Sequence, residues 1–389
     1  MRNYDVLGAA AATGAVATVW LLRHALYQKI CQVFGKSESA SGPACPAKVQ
    51  GLAGLIGNTP LVRIASLSEA TGCEILAKAE FLNPGGSVKD RVALYIIQDA
   101  FAQGLLQQGG LITEGTAGST GVSLAMLAHA YGCRCHISMP DDAAEEKGRM
   151  LEALGATVQR MRPVSITNPD HFVNVACRTA AQEPNSIFAD QFENLANFRA
   201  HFQTGRELWQ QCNQHLDGFV CGAGTGGTIA GISTFLKQQC ASVQVFLIDP
   251  PGSGLYNKVV RGVMYTQQEA EGKRLKNPCD TITEGIGINR QTRNFSKARI
   301  DGAFQGTDRE AVEMAAYLLR NDGLFVGSSA AMNCVGAVKL ARNLGPGHTI
   351  ATILCDGGQR HLSRFYNPDY LKAHNLLPAS IGNSLDFVT

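Results

Sequence analysis

The chain has 389 residues, 45% of them hydrophobic and 17% charged, which is enough to bury the core of two ordinary domains or one large α/β unit. The 34 Lys and Arg residues nearly balance the 32 Asp and Glu residues without forming a basic block, so nothing indicates a nucleic-acid partner. The 12 cysteines form no C-x-x-C motif and have no histidine pair at ligand spacing. We therefore expect free thiols in a reducing compartment, no disulfide and no metal site.

The first 36 residues have the pattern of a membrane anchor. Residues 6–22 carry no charge and are followed by basic residues, namely Arg23, His24, Lys29 and Lys36. This length is near the lower limit, about 17 residues, for a bilayer-spanning helix. A secretory signal peptide has its positive charges before the apolar run, and a matrix presequence is amphipathic. We therefore expect a single-pass anchor in 1–36, of the mitochondrial outer-membrane type, with the following domain in the cytosol. A buried core helix is the alternative, and residues 37–48 are interpreted as a linker.

From residue 49 onward, strand patterns alternate with helix patterns. The predicted strands are 61–64, 74–81, 111–113, 134–139, 219–221, 243–248, 324–326 and 349–354. The predicted helices are one beginning near 89–92, then 120–131, 142–154, one from 229 and 309–320. This alternation indicates an α/β fold with parallel sheets and right-handed crossovers. Ligands of such sheets bind at the carboxyl ends of strands, where four Gly- or Ser-rich turns fall: 83–91, 115–121, 222–228 and 327–330.

Lys89 lies in the first of these turns, which reads Asn-Pro-Gly-Gly-Ser-Val-Lys-Asp-Arg. Ser87 is a good N-cap, so Lys89 falls in the first helical turn, where the helix dipole disfavours an ammonium group. Arg91 acts in the same direction, and a lysine with a lowered pKa is a candidate nucleophile toward an aldehyde. A surface lysine near a turn is the alternative interpretation of this stretch alone.

The turn at 222–228 is rich in glycine and threonine and leads from a strand into a helix. Its backbone N–H groups and threonine hydroxyls could hold a phosphate group. Gly222, Gly224 and Gly227 also satisfy G-x-G-x-x-G, and Asp249 follows at about the ~20-residue distance of a ribose-binding acid. A dinucleotide site is therefore a rival interpretation, although such a site is expected at the first strand-to-helix turn.

Two further turns carry hydroxyl groups at helix N-termini. Residues 116–121 could bind a carboxylate, and residues 327–330 place serines in the same geometry, although simple helix capping explains either turn alone. One activated lysine, one phosphate site and one carboxylate site together describe what pyridoxal phosphate (PLP) and an amino-acid substrate need.

These residues carry a resemblance that extends from about 52 to 362. The chain resembles the fold-type-II PLP enzymes, specifically the cysteine synthase/cystathionine β-synthase family, and within it the fungal mitochondrial branch. The matching motifs are 57–61, 83–91, 189–194, 224–228, 285–287 and 356–360. The resemblance implies a tryptophan synthase β-like fold of two three-layer α/β domains, 49–195 and 196–389, with part of 60–82 crossing to the second domain.

The resemblance also implies roles for single residues. Lys89 holds PLP as an aldimine and acts as the general base. The other expected cofactor contacts are Ser119, Gly224, Thr225, Gly226, Gly227, Thr228 and, at the ring nitrogen, Ser329. The expected substrate contacts are Thr116, Ala117, Gly118, Thr120, Gln191 and Gly285. The family pattern has Asn where this chain has Ser119, and residues 288–290 differ from it as well.

The implied reaction is β-replacement, in which O-acetyl-L-serine and sulfide give L-cysteine through an aminoacrylate intermediate. Cysteine desulfhydration and serine/threonine dehydration are alternatives within the family. An NAD(P)-dependent oxidoreductase, resting on the glycines of 222–227 and on Asp249, is the alternative outside it, and a PLP-binding protein without turnover is a third. The family suggests a homodimer.

Overall fold

The computed structural model describes residues 48–143, 145–266, 281–379 and 384–389. The predicted anchor and residues 37–47 of the predicted linker lie outside these ranges. Within them, none of the helices combines the length and the hydropathy that crossing a bilayer requires.

Ten strands and eleven helices occur within the described ranges. The strands are β1 (Leu61–Arg63), β2 (Glu74–Ala79), β3 (Leu111–Gly115), β4 (Arg134–Pro140), β5 (Thr157–Met161), β6 (Ser186–Phe188), β7 (Gly218–Cys221), β8 (Gln244–Asp249), β9 (Gly302–Gln305) and β10 (Thr349–Leu354). The helices are α1 (Ala65–Thr71), α2 (Lys89–Ala102), α3 (Ser119–Ala130), α4 (Glu145–Ala153), α5 (Phe172–Gln182), α6 (Ala196–Gln211), α7 (Gly227–Gln239), α8 (Leu255–Arg261), α9 (Asp308–Asp322), α10 (Ser328–Leu344) and α11 (Pro368–Ala373).

The strands form two sheets. The larger sheet has the order β1-β2-β10-β7-β8-β9 and the smaller one the order β5-β4-β3-β6. All neighbouring strands are parallel except β1 and β2. The predicted α/β class with parallel sheets is thus confirmed. The described residues from 50 onward form one compact unit that contains both sheets, and the domain boundary at 195 stays a prediction.

Burial explains which strands the sequence reveals. Every residue of β10 and of β3 is buried, and parallel strands covered on both faces read as continuous apolar runs. Strands β5, β6 and β9 lie at sheet edges and are half-buried, so their sequences give a weaker signal. The strand predicted at 324–326 is wrong. Helix α9 ends at Asp322, α10 begins at Ser328, and between them only Val326 makes an isolated bridge, with Gly357.

A buried ion cluster fixes the start of α2. The Arg91 guanidinium lies 2.7 Å from Glu80 and 2.7 Å from Glu207, and the Lys78 ammonium lies 2.9 Å from Glu207. Glu80 follows β2 and Glu207 lies on α6, so Arg91 connects three segments of the chain. Because Lys89 stands two residues before Arg91, this cluster also determines where Lys89 lies.

Replacing Arg91 with Met should reduce the free energy of unfolding by about 3–5 kcal/mol, because Glu80 would stay buried without its partner. The Arg149–Glu145 pair, with both side chains more than two-thirds exposed, offers a control. Arg149→Met should change stability by less than about 0.5 kcal/mol. Urea unfolding of both variants would measure the difference, and equal losses would contradict the assignment.

Candidate active site

A cavity of about 330 Å³ opens at the carboxyl ends of β3, β7 and β10. Of the predicted site residues, all except Ala117 and Gly227 line it, namely Lys89, Thr116, Gly118, Ser119, Thr120, Gln191, Gly224, Thr225, Gly226, Thr228, Gly285 and Ser329. Ala117 packs against the core of the smaller sheet instead, and Gly227 starts α7 behind the loop. The four turns that the sequence singled out therefore meet in one place.

Lys89 is the first residue of α2, and its amine faces this cavity. Burial lowers the pKa of Lys89, while nearby Cys355, Asp356 and Cys221 act in the opposite direction. Burial also raises the pKa of Cys355 to about 11, so that thiol is neutral near pH 7 and offsets little. The predicted direction is confirmed, but the cause is desolvation. The contribution expected from Arg91 is wrong, because Glu80 and Glu207 balance its charge.

Two backbone contacts hold the Lys89 turn against the end of β10. Ser87 forms a bridge with Asp356, and the Val88 N–H donates to the Cys355 carbonyl at 2.8 Å. The Ser87 hydroxyl accepts from the Lys89 N–H at 3.2 Å. The amine is thereby fixed relative to a core strand.

The loop 222–226 packs so closely against its neighbours that side chains on its glycines would not fit. Gly226 has a φ of +83°, a left-handed conformation that favours glycine. A Cβ atom on Gly224 would collide with the Gly285 carbonyl, and one on Gly227 would collide with Asn197. Glycine therefore keeps this loop in place at the N-terminus of the 13-residue helix α7, where backbone N–H groups suit an anion.

Two residues of α6 support this loop, and the sequence analysis missed them. Asn197 donates to the Thr225 hydroxyl and to the Gln191 carbonyl, both at 2.9 Å. His201 Nε2 lies 3.2 Å from the Thr228 hydroxyl. Burial, with help from Lys89 and Arg91, lowers the pKa of His201 well below its usual value, so the ring is neutral. Their spacing of four on one helix was the available signal.

The loop 116–120 forms the facing wall, at the N-terminus of α3. Thr120 donates to the Gln191 side chain at 2.6 Å, and Arg360 donates to the Ser119 hydroxyl at 3.0 Å. Since the Ser119 oxygen accepts from Arg360, its own proton can be donated elsewhere. Backbone N–H groups and hydroxyls at this helix N-terminus suit a carboxylate.

Glu114 lies directly beneath this wall and is buried. It accepts from the backbone N–H groups of Gly115 at 3.0 Å and Gln191 at 3.1 Å. Burial, assisted by Asp190, nevertheless raises its pKa to about 8. A neutral carboxylic acid therefore supports the wall at neutral pH.

Asp249, the acid expected to bind a ribose in the rival interpretation, does not reach the cavity. It is 1% exposed and accepts from the Tyr256 N–H at 2.7 Å, at the start of α8. This placement argues against a dinucleotide site on the loop 222–228.

Comparison with known proteins decides between the two interpretations. The model of the family "Pyridoxal-phosphate dependent enzyme" matches residues 52–356. The chain belongs to this family. The nicotinamide alternative is therefore wrong.

The relatives of this PLP-dependent enzyme agree with that assignment. "Cysteine synthase 2" of Schizosaccharomyces pombe is 52% identical, covering 100% of this chain and 99% of its own. "Putative mitochondrial cysteine synthase" of Saccharomyces cerevisiae is 50% identical, covering 82% of this chain and 85% of its own. The crystal structure of an O-acetylserine dependent cystathionine beta-synthase from Helicobacter pylori matches with a TM-score of 0.70 at 30% identity, covering 82% and 99% of the two chains.

The cavity of this PLP-dependent enzyme fits its cofactor. One wall offers an amine whose pKa is lowered, and another offers Gly224, Thr225, Gly226 and Thr228 at the N-terminus of α7. Ser329, 5% exposed at the first turn of α10, adds a neutral hydroxyl. An aldehyde, a phosphate group and a ring nitrogen can each be matched to one of these features.

The neutral Glu114 predicts a pH dependence of stability. Its pKa is about 8 in the folded protein and 4.5 ordinarily, so the folded state binds more protons between these values. Glu114 therefore lowers the free energy of unfolding progressively as pH rises through that window. In Glu114→Gln the free energy of unfolding should decline less steeply with pH than in the unchanged protein. This holds even if the substitution lowers stability at low pH. Urea unfolding at several pH values tests this, with the exposed Glu69→Gln as a control that should keep the slope.

Proposed function

We propose that the protein makes L-cysteine by PLP-dependent β-replacement, with O-acetyl-L-serine as the amino-acid substrate and sulfide as the nucleophile. The observation that carries the proposal is the convergence of the Lys89 amine, the loop 222–228 and the loop 116–120 on one cavity. Relatives at 52% and 55% identity carry the name cysteine synthase, and the H. pylori protein is described as O-acetylserine dependent.

The cofactor would be held at three points. Lys89 would bind its aldehyde carbon, Gly224 to Thr228 its phosphate, and Ser329 its ring nitrogen, with Ser119 donating to the ring. Bound there, PLP supplies the electron sink that makes Cα acidic and lets the group on Cβ leave. A neutral serine at the ring nitrogen favours elimination over transamination, because it leaves that nitrogen unprotonated.

The other roles fall to residues of the chain itself. Burial lowers the pKa of the Lys89 amine, which favours its free-base form, so the amine can take the Cα proton and later return one. The loop 116–120, with Gln191 beside it, would hold the substrate carboxylate. Gly285 and its neighbours Ile286 and Ile288 would close the apolar side of the cavity against water.

The test is an assay that separates the three reactions of the family. Purified protein with PLP should form cysteine from O-acetylserine and sulfide faster than it releases sulfide from cysteine alone or ammonia from serine or threonine. Faster sulfide release would make it a desulfhydrase, and faster ammonia release a dehydratase. No turnover in any assay would contradict the proposal.

Lys89→Ala should lower this activity by a factor on the order of 10² or more, because it removes the base. Borohydride reduction should attach PLP to the peptide that contains residue 89 in the unchanged protein and leave that peptide unlabelled in the variant. The exposed Lys297→Ala is the control and should keep both activity and labelling. A fully active Lys89→Ala protein would contradict the role of Lys89.

We propose further that residues 6–22 anchor the chain in the mitochondrial outer membrane with the enzyme in the cytosol, and that the enzyme is a homodimer. The uncharged run with its basic flank supports the anchor, and the S. cerevisiae relative is named mitochondrial. The family resemblance alone supports the dimer.

Deleting residues 1–36 should move the protein from the mitochondrial membrane fraction to the soluble fraction without loss of specific activity. The full chain should stay in the membrane pellet after carbonate extraction of mitochondria. In a separate assay on intact mitochondria, added protease should cut it. Protection from that protease would place the enzyme on the other side of the membrane.

A further inference from the structure

Three acid–base side chains in the cavity wall have no role in the scheme so far. Asp356, two residues after the end of β10, lies 3.1 Å from His361, measured from Oδ2 to Nε2. The other ring nitrogen, Nδ1, lies 3.8 Å from the Glu284 carboxylate. All three residues line the same cavity as Lys89.

The Asp356–His361 pair is buried and tightly packed. The two residues are 8% and 5% exposed. A Cβ atom on Gly327 would collide with the Asp356 carboxylate and lie 2.6 Å from His361 Nε2, so the pair fits only because residue 327 is glycine. The ring edge also packs against Phe365, with centroids 6.3 Å apart. The imidazole is thus held in one orientation.

The contact with Asp356 determines what the other ring nitrogen can do. When Nε2–H donates to the carboxylate, a neutral ring keeps its lone pair on Nδ1. Among the described residues, neither His361 Nδ1 nor Asp356 Oδ1 has a hydrogen-bond partner, and both atoms are buried. Nδ1 can therefore accept a proton, and the nearest group that can deliver one is Glu284.

Glu284 connects this pair to the contents of the cavity. Its side chain is 32% exposed, far more than that of His361 at 4%. Its carboxylate accepts from Lys147 of α4 at 2.7 Å, so it is held at the cavity mouth. The 3.8 Å between this carboxylate and His361 Nδ1 is longer than a hydrogen bond, so a proton taken from a ligand by Glu284 passes to His361 once the partly exposed Glu284 side chain moves closer.

β-Replacement by neutral H₂S needs such a base. Acetate leaves as an anion and requires no proton, and Lys89 exchanges the Cα proton. The neutral form of sulfide, H₂S, must lose a proton when its sulfur bonds to Cβ, and no residue discussed above receives that proton.

We propose that Glu284, His361 and Asp356 form a proton-transfer chain that activates H₂S, or another neutral thiol, as the nucleophile. This proposal rests on the proposed function. A lone pair of sulfur forms the S–Cβ bond, one S–H bond breaks, and its electrons stay on sulfur. The proton goes to the Glu284 carboxylate and on to His361 Nδ1, with Asp356 stabilising the charged ring. It returns through Glu284 to solvent after product release.

The test separates the two halves of the reaction in His361→Gln. Acetate release from O-acetylserine without sulfide should match that of the unchanged protein. The sulfide-dependent step in mildly acidic buffer, where H₂S predominates, should slow by about 10²-fold. In mildly alkaline buffer the defect should shrink, because HS⁻ has no proton to lose. Glu284→Gln should behave alike, and His215→Gln, whose ring is 72% exposed, should change neither step.

The outcomes distinguish failure of the proton-transfer chain from failure of the proposed function on which it rests. An unchanged protein that neither releases acetate nor consumes sulfide would contradict the proposed function. With an active unchanged protein, an equal loss in both steps of His361→Gln would show a structural role only, and no loss in the sulfide step would show no role. Either result overturns the proton-transfer chain. If His361→Gln does not fold, Glu284→Gln, altered at a partly exposed position, decides by the same criteria.

Discussion

The structure depends on how the buried charges next to Lys89 are neutralised. Arg91 and Lys78 are paired with Glu80 and Glu207, so all four charges of this cluster are used within it. Lys89, two residues away on the same helix, is left to face the cavity, where burial lowers its pKa. If a carboxylate of the cluster pointed at Lys89 instead, it would stabilise the ammonium form of Lys89. Less free amine would then be available to take a proton. The cluster costs desolvation, and in return it orients α2 and pairs Glu80 and Glu207 with Arg91 and Lys78.

The rest of the site follows from sheet direction. Strands β7 and β10 are parallel neighbours in the larger sheet, so the segments that follow them, from 222 and 355, leave the same edge. The segment that follows β3 of the smaller sheet, from 116, lines the same cavity. Side chains from α6 then connect these loops, since Asn197 contacts both Gln191 and Thr225. A ligand that binds one loop therefore meets a wall whose position is set by the others.

The sequence predicts well what local pattern encodes. β10 has the predicted bounds, and the motif turns meet as expected. Buried parallel strands and glycine turns are both recognisable from short stretches of consecutive residues. The sequence does not predict contacts between residues that are far apart in the chain. Asn197 and His201 lie on an ordinary helix, and only its packing brings them beneath the loop 222–228. Asp356 lies in a motif that was noticed, yet its partner His361 falls one residue beyond that motif. Nothing local shows that Glu284, 77 residues earlier, faces the same ring.

The two sides of the cavity therefore divide the proton chemistry. Lys89 has no carboxylate within ion-pair distance among the described residues, so it is suited to a proton that is removed from carbon and returned to carbon. His361 lies between two carboxylates, one buried and one partly exposed, so it is suited to a proton that must leave the protein. A single lysine could not serve both purposes in one turnover. When the nucleophile arrives, Lys89 still carries the Cα proton, so it has no lone pair to accept a second proton. Separate groups remove this conflict, and Glu284, His361 and Asp356 provide them.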